Sequence, residues 1–380
     1  MTPPHGQKRR VRPKKNKFLI GCLALLALLL ASWGTLHYRF WKLNQGIDEL
    51  AQSADTAAGW LDLKGAIHVH TAAGGHSRGT LDDVVEAARR TKVDFVIVTE
   101  HPRTHGYVAS YQTQPDERPI LIFGEEREEQ SGRALVVPFV SRKEELRVAT
   151  HWMSLPAETV AEIINLHEEA DSVSRWKSGF FLLGSLPGYS RYFLFPVQRV
   201  FRDKLEQWDN ILKQRQVSVV GGNDAHANVG LRLEYSSGHA LMDWTIDPYA
   251  ASFAYLSTHV LLPGSTTIDP DAILAAISQG SSYVSFDFLH DPKGFTLVAG
   301  TAWTRRAPVG TELRVVSPVA CRIRVYHDGK KFREIGPARE MQFFAAEPGA
   351  YRAELYLPQL GGWAEQNPWI ISNPIFIVKR

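Results

Sequence analysis

Three regimes of hydrophobic patterning follow one another along this chain. Residues 18–36 form an uncharged, largely apolar run of nineteen side chains, long enough to cross the hydrocarbon core of a bilayer. Residues 41–60 mix polar and small side chains and read as a stalk, with a weak helix over 40–52. From about Leu61 short apolar runs alternate with amphipathic stretches. The runs 66–70, 94–99, 119–123, 134–140, 217–220 and 258–262 read as strands, several of them apolar at nearly every position, as in strands buried on both faces. Leu81–Arg90 reads as a helix, capped by Thr80 with Asp83 as its capping-box partner. Residues 158–165 read as a helix that delivers His167, and Pro270–Gln279 as one opened by Asp269.

Strands alternating with helices predict a parallel sheet, either an open layer or a closed barrel. Polar clusters lie at the C-terminal ends of the apolar runs: His68/His70, Glu100/His101, Glu125/Glu126 and Asp224/His226. Barrel enzymes assemble their sites at that face, which favours the barrel. Beyond Pro292 the segments 311–316, 321–326, 341–344, 351–356 and 375–378 are separated by turn pairs such as Asp328-Gly329 and Pro348-Gly349. That spacing predicts a small antiparallel, Ig-like sandwich. The expected organisation is a basic tail at 1–17, a transmembrane anchor at 18–40, a stalk at 41–60, an α/β barrel at 61–290 and a β-sandwich at 291–380.

Charge sharpens the first of these regimes. The net charge of +3 is segregated, since Lys8, Arg9, Arg10, Arg12, Lys14, Lys15 and Lys17 face no acidic residue within 1–17. The remainder holds 36 basic against 40 acidic residues and offers no basic surface for nucleic acid. Basic residues ahead of the span predict a single pass through the inner membrane, with everything after it on the extracytoplasmic (periplasmic) side. Trp33, Tyr38, Phe40 and Trp41 supply an aromatic belt. A cleaved signal peptide, with Ser32 and Gly34 as the small residues, is the competing reading. The long apolar run and the missing Ala-x-Ala site favour the anchor. Cys22 and Cys321 lie too far apart in the expected organisation for an intrachain disulfide.

The chemistry concentrates in His68-Val69-His70, flanked by apolar Ile67 and Val69, with His76 six residues on. Alternation along a strand turns both imidazoles to one face, and neutral imidazole ligates Zn, Fe, Ni or Cu. Each cluster alone has a bland explanation, as a core histidine, a solvated acidic turn or a turn cap. Together, with His167, they would leave many polar groups unpaired at a barrel mouth unless cations paired them. No GxSxG elbow or Walker loop occurs. Arg78 and Arg103 follow the first two clusters and are candidate anion donors, with exposed loop charge the equal alternative. His105 is a candidate for supporting a ligand. His239, His259, His290 and His327 read as structural or surface residues.

These residues resemble the PHP (polymerase and histidinol phosphatase) superfamily over roughly 64–290. His68-Val69-His70-Thr71 looks like its first motif, and Thr99-Glu100-His101 is similar to Thr-Asp-His with Glu in place of Asp. Gly124-Glu125-Glu126 resembles Gly-x-Glu, and Gly222-Asn223-Asp224-Ala225-His226 resembles Gly-Ser-Asp-Ala-His. His167 looks like the family's lone histidine, followed here by Glu168. Residues 271–286 and 368–374 are similar to a branch that includes carbaryl hydrolase. The resemblance implies a distorted seven-stranded barrel holding two or three divalent metal ions (Zn, Mn or Fe). By position, His68, His70, Glu126 and Asp224 would hold the first, and His76, His101 and His226 the second. Glu126 would bridge towards a third, held partly by His167. His151 is a candidate for the rest of that site, and Arg133 stands where related chains often carry a histidine.

The implied reaction is attack by metal-activated water, with Asp224, His226 and Glu126 as the catalytic group. The leading expectation is therefore a membrane-anchored phosphoesterase acting on a small-molecule ester. The same metal site on a carbamate, ester or amide is one alternative. A non-catalytic, metal-stabilised surface binding protein is another.

Overall fold

The computed structural model describes residues 15–50, 59–75, 77–101, 118–129, 132–150, 160–186, 202–227, 230–236, 239–245 and 249–379, together with Gly188, Tyr192, Leu194 and Val197. Helix α1 (Lys15–Asp48) opens the described chain. Among the described residues it is the one helix long and apolar enough to cross a membrane. Its side chains from Phe18 to Trp33 are exposed. Leu36, Phe40 and Leu43, spaced along one helical face, are instead buried in the main core. The Phe40 ring stacks on Tyr192 at 5.1 Å, and Trp33 donates its Nε1–H to Leu186 O at 3.2 Å. Helix α1 thus continues to Asp48, into the segment where a weak helix over 40–52 is expected, with Leu36, Phe40 and Leu43 packed into the core.

That body continues through β1 (Trp60–Val69), α2 (Leu81–Arg90), β2 (Phe95–Glu100), β3 (Ile120–Glu129), β4 (Gly132–Pro138), β5 (Glu145–Ala149) and β6 (Val160–Asn165). Helices α3 (Leu166–Ser172), α4 (Arg175–Ser185) and α5 (Arg202–Leu212) lead to β7 (Ser218–Gly222) and the hairpin β8 (Gly230–Ser236)/β9 (His239–Thr245). Then come α6 (Tyr249–Tyr255), β10 (Ser257–Pro263), α7 (Pro270–Gln279) and β11 (Ser282–Ser285). Both capped helices begin where the sequence places them. Thr80 and Asp83 form a reciprocal capping box, and Asp269 accepts from Ala272 N ahead of α7.

The sheet is mixed, and its strands do not close. β1 pairs in parallel with β2, and β2 with β3. β3, β4 and β5 form an antiparallel meander, and β5, β6 and β7 are parallel again. On its other edge β1 pairs antiparallel with β10, and β10 with β11. The expected closed (β/α)7 barrel is thus corrected to an open mixed sheet, whose path ends at β7 and in which β4 runs antiparallel to both its neighbours. Beyond β7 a single bridge, Val69 to Ala225, brings the chain back to the tip of β1, supported by Asn223 N→Ile67 O at 2.7 Å and His70 N→Ala225 O at 3.0 Å.

A second correction concerns residues 158–165. The described part, Val160–Asn165, is strand β6, and the helix starts only at Leu166 with Asn165 as its cap. Val160, Ile163 and Ile164 have helical spacing, but all six residues of β6 are buried, and Val160 and Ile163 enter different cores. A continuous buried run cannot be told from a helix by periodicity.

The C-terminal part comprises β12 (Thr296–Ala299), β13 (Arg306–Pro308), β14 (Glu312–His327), β15 (Lys330–Phe344), β16 (Gly349–Tyr356), β17 (Ile370–Ser372) and β18 (Ile375–Val378). The two strands expected at 311–316 and 321–326 are one strand, β14, carried across an irregularity between Val316 and Cys321. β17 pairs with both β11 and β16, so one sheet runs from the N-terminal strands into this part. A buried ion pair adds a second tie. Arg352 on β16 donates from Nε and Nη2 to Asp209 on α5 at 2.6 and 2.7 Å.

Candidate metal centre

The centre begins at an irregularity in β1. Ile67 pairs with Ile97 and Val69 with Val98, so His68 is an extra residue between two consecutive partners. It sits at φ 65°, left-handed backbone that costs a side-chain-bearing residue about 1–2 kcal/mol. Simple alternation would put Ile67 and Val69 on one face. Instead Ile67 joins the core that contains Ile97 and Leu135, and Val69 joins the core under α2. The bulge re-aims the strand so that His68 and His70 converge, their ring centroids 5.0 Å apart. Asp224 and Ala227 also have positive φ, so the opposite wall of the centre is held in strained backbone too.

Four donor atoms meet there. His68 Nε2 lies 3.5 Å from Glu126 Oε2 and 3.4 Å from Asp224 Oδ1. His70 Nε2 lies 3.6 and 3.3 Å from the same two oxygens. A tetrahedral ion bonded at about 2.0–2.1 Å holds its donors about 3.4 Å apart. These four separations lie near that spacing, and His68, His70 and Glu126 are close enough together to share one ion. His68 Nε2 is buried without a hydrogen-bond partner, as expected of a lone pair reserved for a cation. The residues therefore fit a divalent metal.

Other predicted residues gather around this core. His101 Nε2 is 3.6 Å from Glu126 Oε2. The His226 ring stacks on His70 at 4.6 Å, and its Nδ1 is 2.8 Å from Asp224 O. His70, Asp224 and His226 form a second group of donors close enough to share an ion. His167, half-buried on the first turn of α3, lies 5.1 Å from His226, ring to ring. Arg78 is exposed on the loop after Ser77, whose hydroxyl donates to His226 O. His76, Arg103, His105 and His151 lie outside the described residues.

The electrostatics call for positive charge. Burial opposes ionisation of Glu126, but His68 and His70 hold its carboxyl down to about 2. Asp224 is held far below the usual carboxylate range by His70, His68 and His226, again against burial. Burial keeps His70 neutral, with its pKa down to about 3. Burial also works against charge on His68, yet Glu162, Glu126 and Asp224 together raise it well above its ordinary value. A divalent ion would take over that charge and release the proton.

Glu162, Asn165 and Tyr249 went unrecognised in the sequence, and Glu100 and Arg133 take up supporting places around them. Glu162 on β6 lies 3.0 Å from His68 Nδ1, and Asn165 donates to Asp224 Oδ2 at 3.1 Å. Glu100 accepts from Thr71 N at 2.8 Å and from its hydroxyl at 2.6 Å, tying β2 to the loop after His70. Tyr249 donates to His70 O at 2.6 Å. A lone acid inside the apolar run Val160–Asn165 was the one available signal for Glu162. Arg133 Nη1 stands at the rim, 3.7 Å from Glu126 Oε1.

No family model matches the chain, and no curated protein matches it. It is similar to the crystal structure of a two-domain protein from Bacteroides vulgatus ATCC 8482 containing a predicted PHP-like metal-dependent phosphoesterase, at 13% identity over 85% of this chain and 98% of that one, with a TM-score of 0.36. It is also similar to PsfC from Pseudomonas syringae PB-5123, at 14% identity over 60% of this chain and 92% of that one, with a TM-score of 0.33. With superpositions this loose, neither likeness bears on the chemistry of the centre.

Proposed function

We propose that the chain is a membrane-anchored, metal-dependent hydrolase of the PHP type, acting on a phosphoester on the extracytoplasmic side of the membrane. The observation that carries this reading is the convergence of buried His68, His70 and Glu126, with half-buried Asp224 3.4 and 3.3 Å from the two imidazoles. These four would hold one ion. His101, His226 and, by the family resemblance, His76 would hold a second, with Glu126 reaching both and His167 at the rim. Bound divalent ions would supply a Lewis acid and lower the pKa of water to the neutral range.

The chain's own groups do the rest. Glu126 and Asp224, held ionised, accept positive charge without needing to lose protons first. His226 Nδ1 donates to the Asp224 carbonyl oxygen, which leaves the ring's lone pair on Nε2. The exposed guanidinium of Arg133 lies between Glu126 and Glu128 at the rim of the centre, and its positive charge there supports an anionic substrate over a neutral carbamate, ester or amide.

The test uses the full chain in detergent. Elemental analysis should find close to two equivalents of transition metal. The protein should hydrolyse bis-nitrophenyl phosphate well ahead of an aryl carbamate or aryl acetate. A metal-free and fully stable protein would sink the metal centre, and the reverse substrate order would transfer the site to the carbamate and ester reading. Persistence of residues 1–17 in membrane-fraction protein is expected for the anchor; their absence would favour a cleaved signal.

A further inference from the structure

We propose that strand β6 forms a supporting layer of this centre, in which Glu162 and Asn165 decide which atoms of His68 and Asp224 face the metal. The proposal rests on the metal-centre reading above and goes beyond the ligand set.

The Glu162 side chain is fully buried, with Oε1 3.0 Å from His68 Nδ1. A carboxylate can only accept, so Nδ1 carries the hydrogen and Nε2 is left with the lone pair. That Nε2 is the atom that lies among Glu126 and Asp224. An imidazole with the opposite tautomer would present an N–H to the ion and could not bind it.

Asn165 does the same for Asp224. Its Nδ2 donates to Glu162 Oε2 at 3.2 Å and to Asp224 Oδ2 at 3.1 Å. Its Oδ1 accepts from Glu168 N at 2.9 Å as the cap of α3. The cap settles the orientation of the amide, since its oxygen must face the helix and its NH2 group the two carboxylates. Asp224 Oδ2 is thereby engaged, and Oδ1 is the oxygen turned towards His68 and His70.

Stability alone gives no reason for a carboxylate here, because an apolar side chain would fill a buried strand at lower cost. Gly222 on the neighbouring strand carries no side chain where the Glu162 carboxylate passes. Glu162 and Asn165 are positioning residues, since neither is among the donor atoms that converge.

The test measures Zn2+ affinity by competition with a chromophoric chelator on the full-length protein, for wild type, Glu162→Gln and Glu162→Leu. Loss of a ligand's outer partner typically weakens metal binding about 10–100-fold, and that loss is expected for Glu162→Leu. Glu162→Gln can still accept from Nδ1 through its amide oxygen, so it should recover part of the affinity and fall between the two. This graded rescue would not arise from a merely structural role. A folded Glu162→Leu variant with wild-type Zn2+ affinity would overturn the proposal. Should that variant not fold, unchanged affinity in Glu162→Gln overturns it instead. A wild-type protein that takes up no Zn2+ would refute the metal centre itself, a distinguishable result.

Discussion

A side chain on Gly222 would occupy the space that the carboxylate of Glu162 fills. β6 and β7 are paired neighbours, with Glu162 opposite Val220 and Asn165 opposite Gly222, so the overlap is relieved only by moving Glu162 or parting the strands. Gly222→Ala should lower stability by about 1–3 kcal/mol, the usual cost of overpacking, and should weaken metal retention as well. Thermal unfolding and metal content, measured on the same preparation, check both. An alanine variant with unchanged metal content would show that the carboxylate has room to yield.

The centre should also be separable from the fold. Glu126→Gln removes an ionised donor that touches His68, His70 and His101. Hydrolysis of bis-nitrophenyl phosphate is expected to fall to the uncatalysed rate, with metal content reduced and circular dichroism unchanged. Treatment of wild type with a strong chelator should give the same loss, reversed by adding divalent metal.

His259 predicts a pH dependence remote from the centre. Its ring is buried between Asp62 Oδ1 at 2.7 Å and Asp287 Oδ2 at 3.3 Å, and Lys64 pairs with the same Asp287 oxygen. Tyr283 stacks on the ring and donates its hydroxyl to Asp62. Burial disfavours the charged imidazole, but Asp287 and Asp62 outweigh it and raise its pKa from 6.5 to about 9. Because the folded value is raised, the stabilisation is complete below the unfolded pKa and lost as pH rises through the folded one. Roughly 3 kcal/mol should disappear between about pH 6.5 and pH 9. Denaturant titrations across that range check it, and His259→Gln should flatten the profile.

The Asp209–Arg352 pair predicts a different loss. Both partners are buried, and Glu354 also accepts from Arg352 Nη1 at 2.6 Å. Asp209→Ala leaves a buried guanidinium short of a partner and should cost about 3–5 kcal/mol. Because α5 and β16 belong to different parts of the chain, chemical unfolding of the variant should also become less cooperative. A single sharp transition at the wild-type midpoint would contradict both expectations.

Local signals made much of this architecture legible. Thr80, Asp83 and Asp269 announce two helix starts within their own segments, and each cap forms as written. His68, His70, Glu126, Asp224 and His226 stand at the ends of apolar runs, and the structure brings them together. The topology was less readable, because nothing in an apolar strand states which way its neighbour runs. The antiparallel turns around β4 became visible only in the strand pairing. β6 was hidden for another reason. The partners that make Glu162 tolerable, His68 and Asn165, lie 94 residues away and in the next turn of chain, so the strand resembles an amphipathic helix with one acid.

The bulge at His68 implies a division of interests within one strand. Without that residue, the pairs Ile67–Ile97 and Val69–Val98 would follow directly, as they do in an unbroken ladder. The sheet would lose a strained backbone unit and keep every pair on either side. His68 is thus a residue that the scaffold would be better without, retained against the interest of the fold that carries it. Deleting the His68 codon is therefore expected to leave a sturdier sheet that lacks one of the donors at the centre.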